Sequence, residues 1–143
     1  MTVKFLALCL TLAAGASPAR AKEIHLDCAR TDQSATLDAD TDRRFLQMMW
    51  SDGVAEEFRD GESYLSGPDS FGEKEKVTYV VSVEGDVVAF GENRVCLQSG
   101  SKRKCLDRAI RNTLDLARGE LKYDNGEEIA VLKCQPAPPG RRF

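Results

Sequence analysis

Apolar and polar residues alternate with a period of two along most of this chain. Ile24, Leu26 and Cys28 alternate with His25 and Asp27, and Val77, Tyr79, Val81 and Val83 alternate with Thr78, Val80 and Ser82. A period of two puts one set of side chains on one face of an extended strand, so both stretches predict half-buried β-strands. Glu84-Gly85-Asp86 then turns the chain into Val87-Val88-Ala89-Phe90, a strand–turn–strand unit rich in β-branched and aromatic residues. Residues 120–123 lead into Asp124-Asn125-Gly126, where Asn-Gly favours a tight hairpin because a type I′ turn needs positive φ at both central positions. The return strand is residues 127–134, with Ile129-Ala130-Val131-Leu132 as its apolar part.

Two segments fit either period. Residues 43–50 place Leu46, Met48 and Trp50 on one strand face, or Phe45, Met48 and Met49 on one helix face. The strand reading is favoured there. Residues 106–117 carry Leu106, Ala109, Ile110 and Leu114 at helical spacing. Residues 112–116 are read as strand, with a short helix or turn left open over 106–111. Short strands broken by frequent glycines predict an all-β fold, an antiparallel barrel or sandwich of about eight strands.

The N-terminus changes how the rest is read. Lys4, the apolar run 5–14 and Ala19-Arg20-Ala21 form the charged region, apolar core and small-residue cleavage site of a secretory signal peptide. Residues 1–21 are therefore expected to be removed, leaving residues 22–134 as one β domain. Residues 135–143, with Pro136, Pro138 and Pro139, are expected to be an extended, mobile tail. Removing Lys4 and Arg20 takes the net charge from −3 to −5. A mildly acidic domain argues against generic nucleic-acid binding. No later apolar run is long enough to cross a membrane as a helix.

Cys9 leaves with the signal peptide, and Cys28, Cys96, Cys105 and Cys134 remain. An even number of cysteines in an exported chain points to two disulfides. Three pairings are possible, and Cys28–Cys134 with Cys96–Cys105 is favoured. The first would pin the first strand beside the last. The second would clip the polar loop between residues 96 and 105. Zinc sites use close pairs such as Cys-x-x-Cys or added histidines, and here the one histidine is His25.

Residues 112–123 followed by Cys134 resemble the end of many small exported proteobacterial β proteins, themselves uncharacterised. In those, a strand carrying Asp-Arg-x-x-Gly-x-Leu precedes a final strand ending in cysteine, and another cysteine lies near the mature N-terminus. In this chain Leu116 follows Asp115 where those proteins have arginine. The resemblance covers the last quarter of the chain plus Cys28. It implies a β fold, a terminal disulfide and a bacterial periplasmic location, and no particular activity.

Asp38-Ala39-Asp40-Thr41-Asp42 looks like the start of a calcium loop, but Arg43 and Met49 stand where an EF-hand needs glycine and glutamate. A solvated turn is expected instead, and no metal site or cofactor is assigned. His25 falls on the polar face of its strand and the cysteines are expected to be oxidised, so no catalytic base and nucleophile can be assembled. Glu56, Glu57, Asp60, Glu62, Asp69 and Glu73 offer paired carboxylates, which are common on any acidic surface. No catalytic residue is assigned.

Two loops stand out for recognition. Lys102-Arg103-Lys104 is a compact basic cluster in an acidic protein, inside the loop that a Cys96–Cys105 bridge would shape. Residues 64–72 read as a turn-rich loop, with Tyr64, Ser66 and Asp69 as its candidate contacts. The expectation is a non-enzymatic binding or interaction protein, periplasmic or secreted, whose partner is a protein or an anionic envelope component. The alternative is a lipocalin-like carrier of a small apolar ligand, with Trp50, Phe58, Tyr64, Phe71, Tyr79, Phe90 and Tyr123 as core or pocket lining. A hydrolase ranks last.

Overall fold

The alternating pattern is realised as ten antiparallel strands in a computed structural model that describes residues 23–138 except Arg103 and Asn125. Residues 1–21, read as a signal peptide, and the last five residues of the tail lie outside the described residues. The strands are β1 (Glu23–Ala29), β2 (Ser34–Asp40), β3 (Phe45–Trp50), β4 (Ala55–Arg59) and β5 (Ser63–Ser66). They continue with β6 (Lys74–Glu84), β7 (Val87–Gln98), β8 (Arg108–Asp115), β9 (Glu120–Asp124) and β10 (Ile129–Pro136). All ten form one sheet in the order β4-β3-β2-β1-β10-β9-β8-β7-β6-β5.

That order dictates the shape. The two edge strands, β4 and β5, are consecutive in the chain and separated only by residues 60–62. A flat sheet of this width would hold its edges tens of ångströms apart, at nearly 5 Å per strand. The sheet therefore curls until β4 lies beside β6. Residues 60–62 stitch the seam. The Gly61 N–H donates to Tyr79 O at 2.9 Å, and the Tyr79 N–H donates to Glu62 O at 2.8 Å. The Asp60 carboxylate accepts the Val81 N–H at 2.9 Å and pairs with Arg44 at 3.1 Å.

These bonds hold the Asp60 carboxyl below its ordinary range, the Val81 N–H contributing most and Arg44 assisting against partial burial. A depressed folded-state pKa stabilises the fold above the unfolded value of 3.8, and that contribution is lost as pH falls through the lower folded value. Asp60→Ala is expected to cost about 1–2 kcal/mol near neutral pH, because the Val81 N–H loses its acceptor at the seam. Asp60→Asn keeps an acceptor oxygen and should unfold with a flatter dependence on acid pH. Urea unfolding between pH 3 and pH 7 checks this, and an unchanged acid limb in Asp60→Asn would contradict the seam's role.

The inner face is apolar through half of its length. Leu37, Leu46, Met48, Phe90, Leu114, Leu121 and Leu132 are fully buried. Ile24, Val81, Val88 and Ala130 join that cluster, and Phe58 packs edge-on to Phe90 with ring centroids 5.1 Å apart. Leu46 and Met48 share this face as the strand reading of residues 43–50 requires, with Trp50 at its margin.

Both disulfides have the favoured pairing. Cys28 and Cys134 stand opposite each other in the β1–β10 ladder with Cα atoms 4.0 Å apart. The Cys134 N–H turns the other way, to Gly119 O, so this is a non-hydrogen-bonded pair, the kind in which facing side chains come closest. Two disulfides belong to an oxidising, non-cytoplasmic compartment. Among the described residues no helix is long and apolar enough to cross a membrane.

Three expectations need correction, and the helix or turn left open over 106–111 is decided. The strand count is ten rather than about eight, because residues 55–66 form two short strands that show no clear alternation. Residues 108–111 are strand, because their backbone pairs with β7 from Arg94 to Gly91 and this outweighs the local helical spacing. Tyr64 and Ser66 lie in β5, paired with Val77 and Glu75, so the loop is shorter than 64–72. The tail begins later than residue 135. Gln135 and Pro136 still face Asp27 and Leu26 in the ladder, and the Ala137 N–H donates to His25 O at 3.0 Å.

Candidate functional site

Several hollows and surfaces among the described residues bear polar chemistry, and the sequence anticipated one as a recognition surface. That one is the tip beyond β5, β6 and β7, where the two recognition loops meet. The Ser101 N–H donates to Phe71 O at 2.8 Å, and the Gln98 side-chain amide donates to Gly72 O at 2.8 Å. Gly100 packs so closely that an added Cβ would lie 2.9 Å from Phe71 O and 2.8 Å from Glu73 Cγ. Lys102 sets its ammonium 5.2 Å from the centre of the Phe71 ring, within cation–π reach. The Cys96–Cys105 bridge closes the base of the loop.

The remaining candidates divide. Lys104 is exposed at the tip and lines a shallow hollow with Glu73, Glu75 and Arg108. Arg103 lies outside the described residues. Asp69 turns inward on its own loop, accepting the Phe71 N–H at 2.9 Å and the Glu73 N–H at 2.8 Å. Its carboxylate shapes the loop. Ser66 adjoins the tip beside Glu75. Tyr64 points elsewhere, against Tyr79 at 5.6 Å between ring centroids.

Tyr64 belongs to a second feature, a cleft of about 360 Å³ lined by Glu56, Phe58, Tyr64, Tyr79, Glu92, Arg94, Asn112 and Tyr123 among others. Here the inner face changes from apolar to polar. Along β7 the buried Phe90 is followed at spacing two by Glu92 and Arg94, and along β8 Leu114 is preceded by Asn112. Gly91 makes the floor possible, since its φ is +154° and a Cβ there would lie 2.1 Å from Ile110 O. Asn112 is buried, and its side-chain oxygen accepts the Asp124 N–H at 2.7 Å.

The cleft's charges are arranged in two groups. Arg94 pairs with Glu92 at 2.6 Å and with Glu75 at 3.0 Å, and the more exposed Arg108 approaches Glu75 at 3.6 Å. Across the cleft, Glu56 accepts the Trp50 indole N–H at 2.8 Å and the Tyr123 hydroxyl at 2.8 Å. Burial pushes the Tyr79 hydroxyl up to about 12, aided by Tyr64 and the negative charge of Glu92. Burial likewise raises Tyr123, with the bond to Glu56 and the charges of Glu56 and Glu92 adding to it. Both tyrosines are therefore neutral hydroxyls at any physiological pH.

His25 lies in a third, open hollow on the outer face of β1–β3 with Asp38, Asp40, Arg43 and Gln47. Its Nδ1 is bonded to Asp38, while Nε2 faces Glu23 at 4.0 Å rather than a hydroxyl or thiol. The Asp38–Asp42 run forms a turn. The Asp40 carboxylate accepts the backbone N–H groups of Asp42 and Arg43, a use that needs no cation. Among the described residues no three His, Cys, Asp or Glu side chains converge as a metal-binding group.

Sequence reasoning grouped Phe58, Tyr64, Tyr79 and Tyr123 as core or apolar pocket lining, and missed that Glu56, Glu92, Arg94 and Asn112 join them in the cleft. A polar residue at an inward position, such as Glu92, Arg94 or Asn112 continuing the parity of Phe90 and Leu114, was the signal available. No family model, curated protein or solved structure matches the chain.

Proposed function

We propose that this is an exported, non-enzymatic binding protein of the bacterial periplasm that docks an anionic protein or envelope surface through its basic tip. The observation that carries this reading is the clamping of the Cys96–Cys105 loop onto the Phe71 loop, which holds Lys102 and Lys104 outward on a firm base. Charge distribution supports it. Lys102, Arg103 and Lys104 are consecutive basic residues in a chain with an excess of acids. A fixed local potential of opposite sign to the whole molecule orients an encounter and does not require a basic protein. The export reading rests on the signal-peptide pattern of residues 1–21 and on the two disulfides.

A cation-exchange surface tests the tip directly. At pH 7 and low salt the mature acidic protein is expected to be retained on immobilised phosphate groups, and Lys102→Ser/Arg103→Ser/Lys104→Ser should flow through. Circular dichroism should show the triple variant folded, since Lys102 and Lys104 are exposed. Equal retention of the two proteins would sink the assignment.

The carrier reading also has an observation behind it, the cleft of about 360 Å³. Its walls of hydroxyl, carboxylate and amide groups support a polar ligand rather than the apolar one expected above.

A further inference from the structure

We propose that the cleft is a binding site for a small organic ammonium ion, seated between tyrosine rings and the carboxylate of Glu56. This site lies apart from the basic tip and does not depend on how the tip is used.

Three independent features of the cleft agree. The first is size and position. A hollow of about 360 Å³ at the polar end of a packed barrel-like sheet suits a molecule of a few heavy atoms. The second is aromatic lining. Tyr64, Tyr79 and Phe58 form a continuous wall, with centroids 5.6 Å and 5.5 Å apart, and Tyr123 stands with Glu56. Ring faces attract cations, and quaternary ammonium groups are commonly held in such settings.

The third feature is charge balance. Arg94 and Arg108 answer Glu92 and Glu75. Glu56 is different, because among the described residues its partners are the Trp50 indole and the Tyr123 hydroxyl, both neutral donors. A half-buried carboxylate without a cation carries an electrostatic deficit that one monovalent cation would relieve. An ammonium carrying methyl groups fits this lining better than a bare metal ion, since the aromatic wall offers ring faces and the carboxylates do not converge as a ligand set.

Trp50, the one tryptophan of the chain, reports on the site because its N–H is bonded to Glu56 and its ring lies 4.9 Å from Tyr123. The test titrates mature protein with tetramethylammonium chloride while following Trp50 emission, with sodium chloride at equal ionic strength and glucose as comparisons. A saturable change with tetramethylammonium alone is expected. Glu56→Gln should weaken it about tenfold, and Tyr64→Ala should weaken it several-fold. If Glu56→Gln fails to fold, the half-exposed Tyr64→Ala carries the comparison. The proposal is overturned by no saturable change up to about 0.1 M, a concentration corresponding to only about 1–2 kcal/mol of binding. Saturation by glucose or by sodium chloride would overturn it equally, as would unaltered tetramethylammonium affinity in folded Glu56→Gln or Tyr64→Ala.

Discussion

Replacing Cys28 and Cys134 together with alanine is expected to destabilise the folded domain by about 5 kcal/mol, roughly twice the loss from replacing Cys96 and Cys105. The difference follows from loop length. Cys28 and Cys134 are 106 residues apart in the chain, whereas Cys96 and Cys105 are 9 apart. A cross-link removes conformational freedom from the unfolded chain in proportion to the logarithm of the loop it closes, which gives about 5 kcal/mol for the long loop and about 2.5 kcal/mol for the short one. Domains of this size have roughly 5–15 kcal/mol in total, so the first variant should lie near the edge of folding. The bridge also sits in the middle of the sheet order, joining the N-terminal half of the ladder to the C-terminal half. Urea unfolding of the two double variants, read by Trp50 emission and circular dichroism, measures the ratio. Equal losses, or a larger loss from the short loop, would mean that the terminal bridge is not what holds β1 against β10.

Phe90→Ala is expected to cost about 3–5 kcal/mol. Phe90 is fully buried, sits in mid-strand between Val81 and Asn112, and meets Phe58 edge-on at 5.1 Å. Phe58 in turn meets Tyr79 at 5.5 Å, so this chain of rings spans the seam where β4 approaches β6. Truncation would open a cavity at the boundary between the apolar half of the interior and the polar cleft. The surrounding backbone is pinned by sheet pairing on both sides and by the close approach of Gly91 to Ile110, which limits collapse into the gap. Phe71→Ala provides the contrast. Its ring is 39% exposed at the tip, and the change should cost under about 1 kcal/mol while weakening whatever the tip holds. Similar losses from the two substitutions in chemical unfolding would show that the interior is looser than its burial implies.

Most of the strands were legible because their signal is local. Ile24 and Cys28 in β1, Leu46 and Met48 in β3, and Val77 and Val81 in β6 are all buried at spacing two or four, as a period of two demands. The β6–β7 turn was likewise visible, with Gly85 at a φ of +62° between the two long strands. Legibility failed where tertiary pairing overrode a local pattern. Residues 108–111 have helical spacing, yet they complete a ladder with β7 whose hydrogen bonds an isolated helical turn could not replace. Residues 55–66 have too few apolar positions to announce two strands. They are held by their neighbours on either side and by the Asp60 seam. Gln135 and Pro136 look like tail by composition, but they extend the β1 ladder beyond the disulfide.

The candidate site divides along the same line. The basic cluster and its clipping disulfide are contiguous features, so they could be read from residue order. Their docking onto the Phe71 loop joins residues some thirty positions apart through Ser101 and Gln98, and only the folded chain brings these together. The cleft is more strongly tertiary still. Glu56 and Tyr123 are 67 residues apart, and they meet because β4 and β9 face each other across the curled sheet.

Residue order alone pointed to the all-β class, the alternation that makes a two-faced sheet, the even count of cysteines and the compartment chemistry that disulfides require, while the structure selected Cys28–Cys134 and Cys96–Cys105 among the three possible pairings. Each depends on side-chain periodicity, turn chemistry or cysteine count, which are properties of short segments. Tertiary structure decided the number and order of strands, the curling forced by making β4 and β5 opposite edges, and which polar residues share an interior. Those outcomes depend on long-range pairing, where loop closure and backbone hydrogen bonding are satisfied globally, and no short stretch of sequence records them.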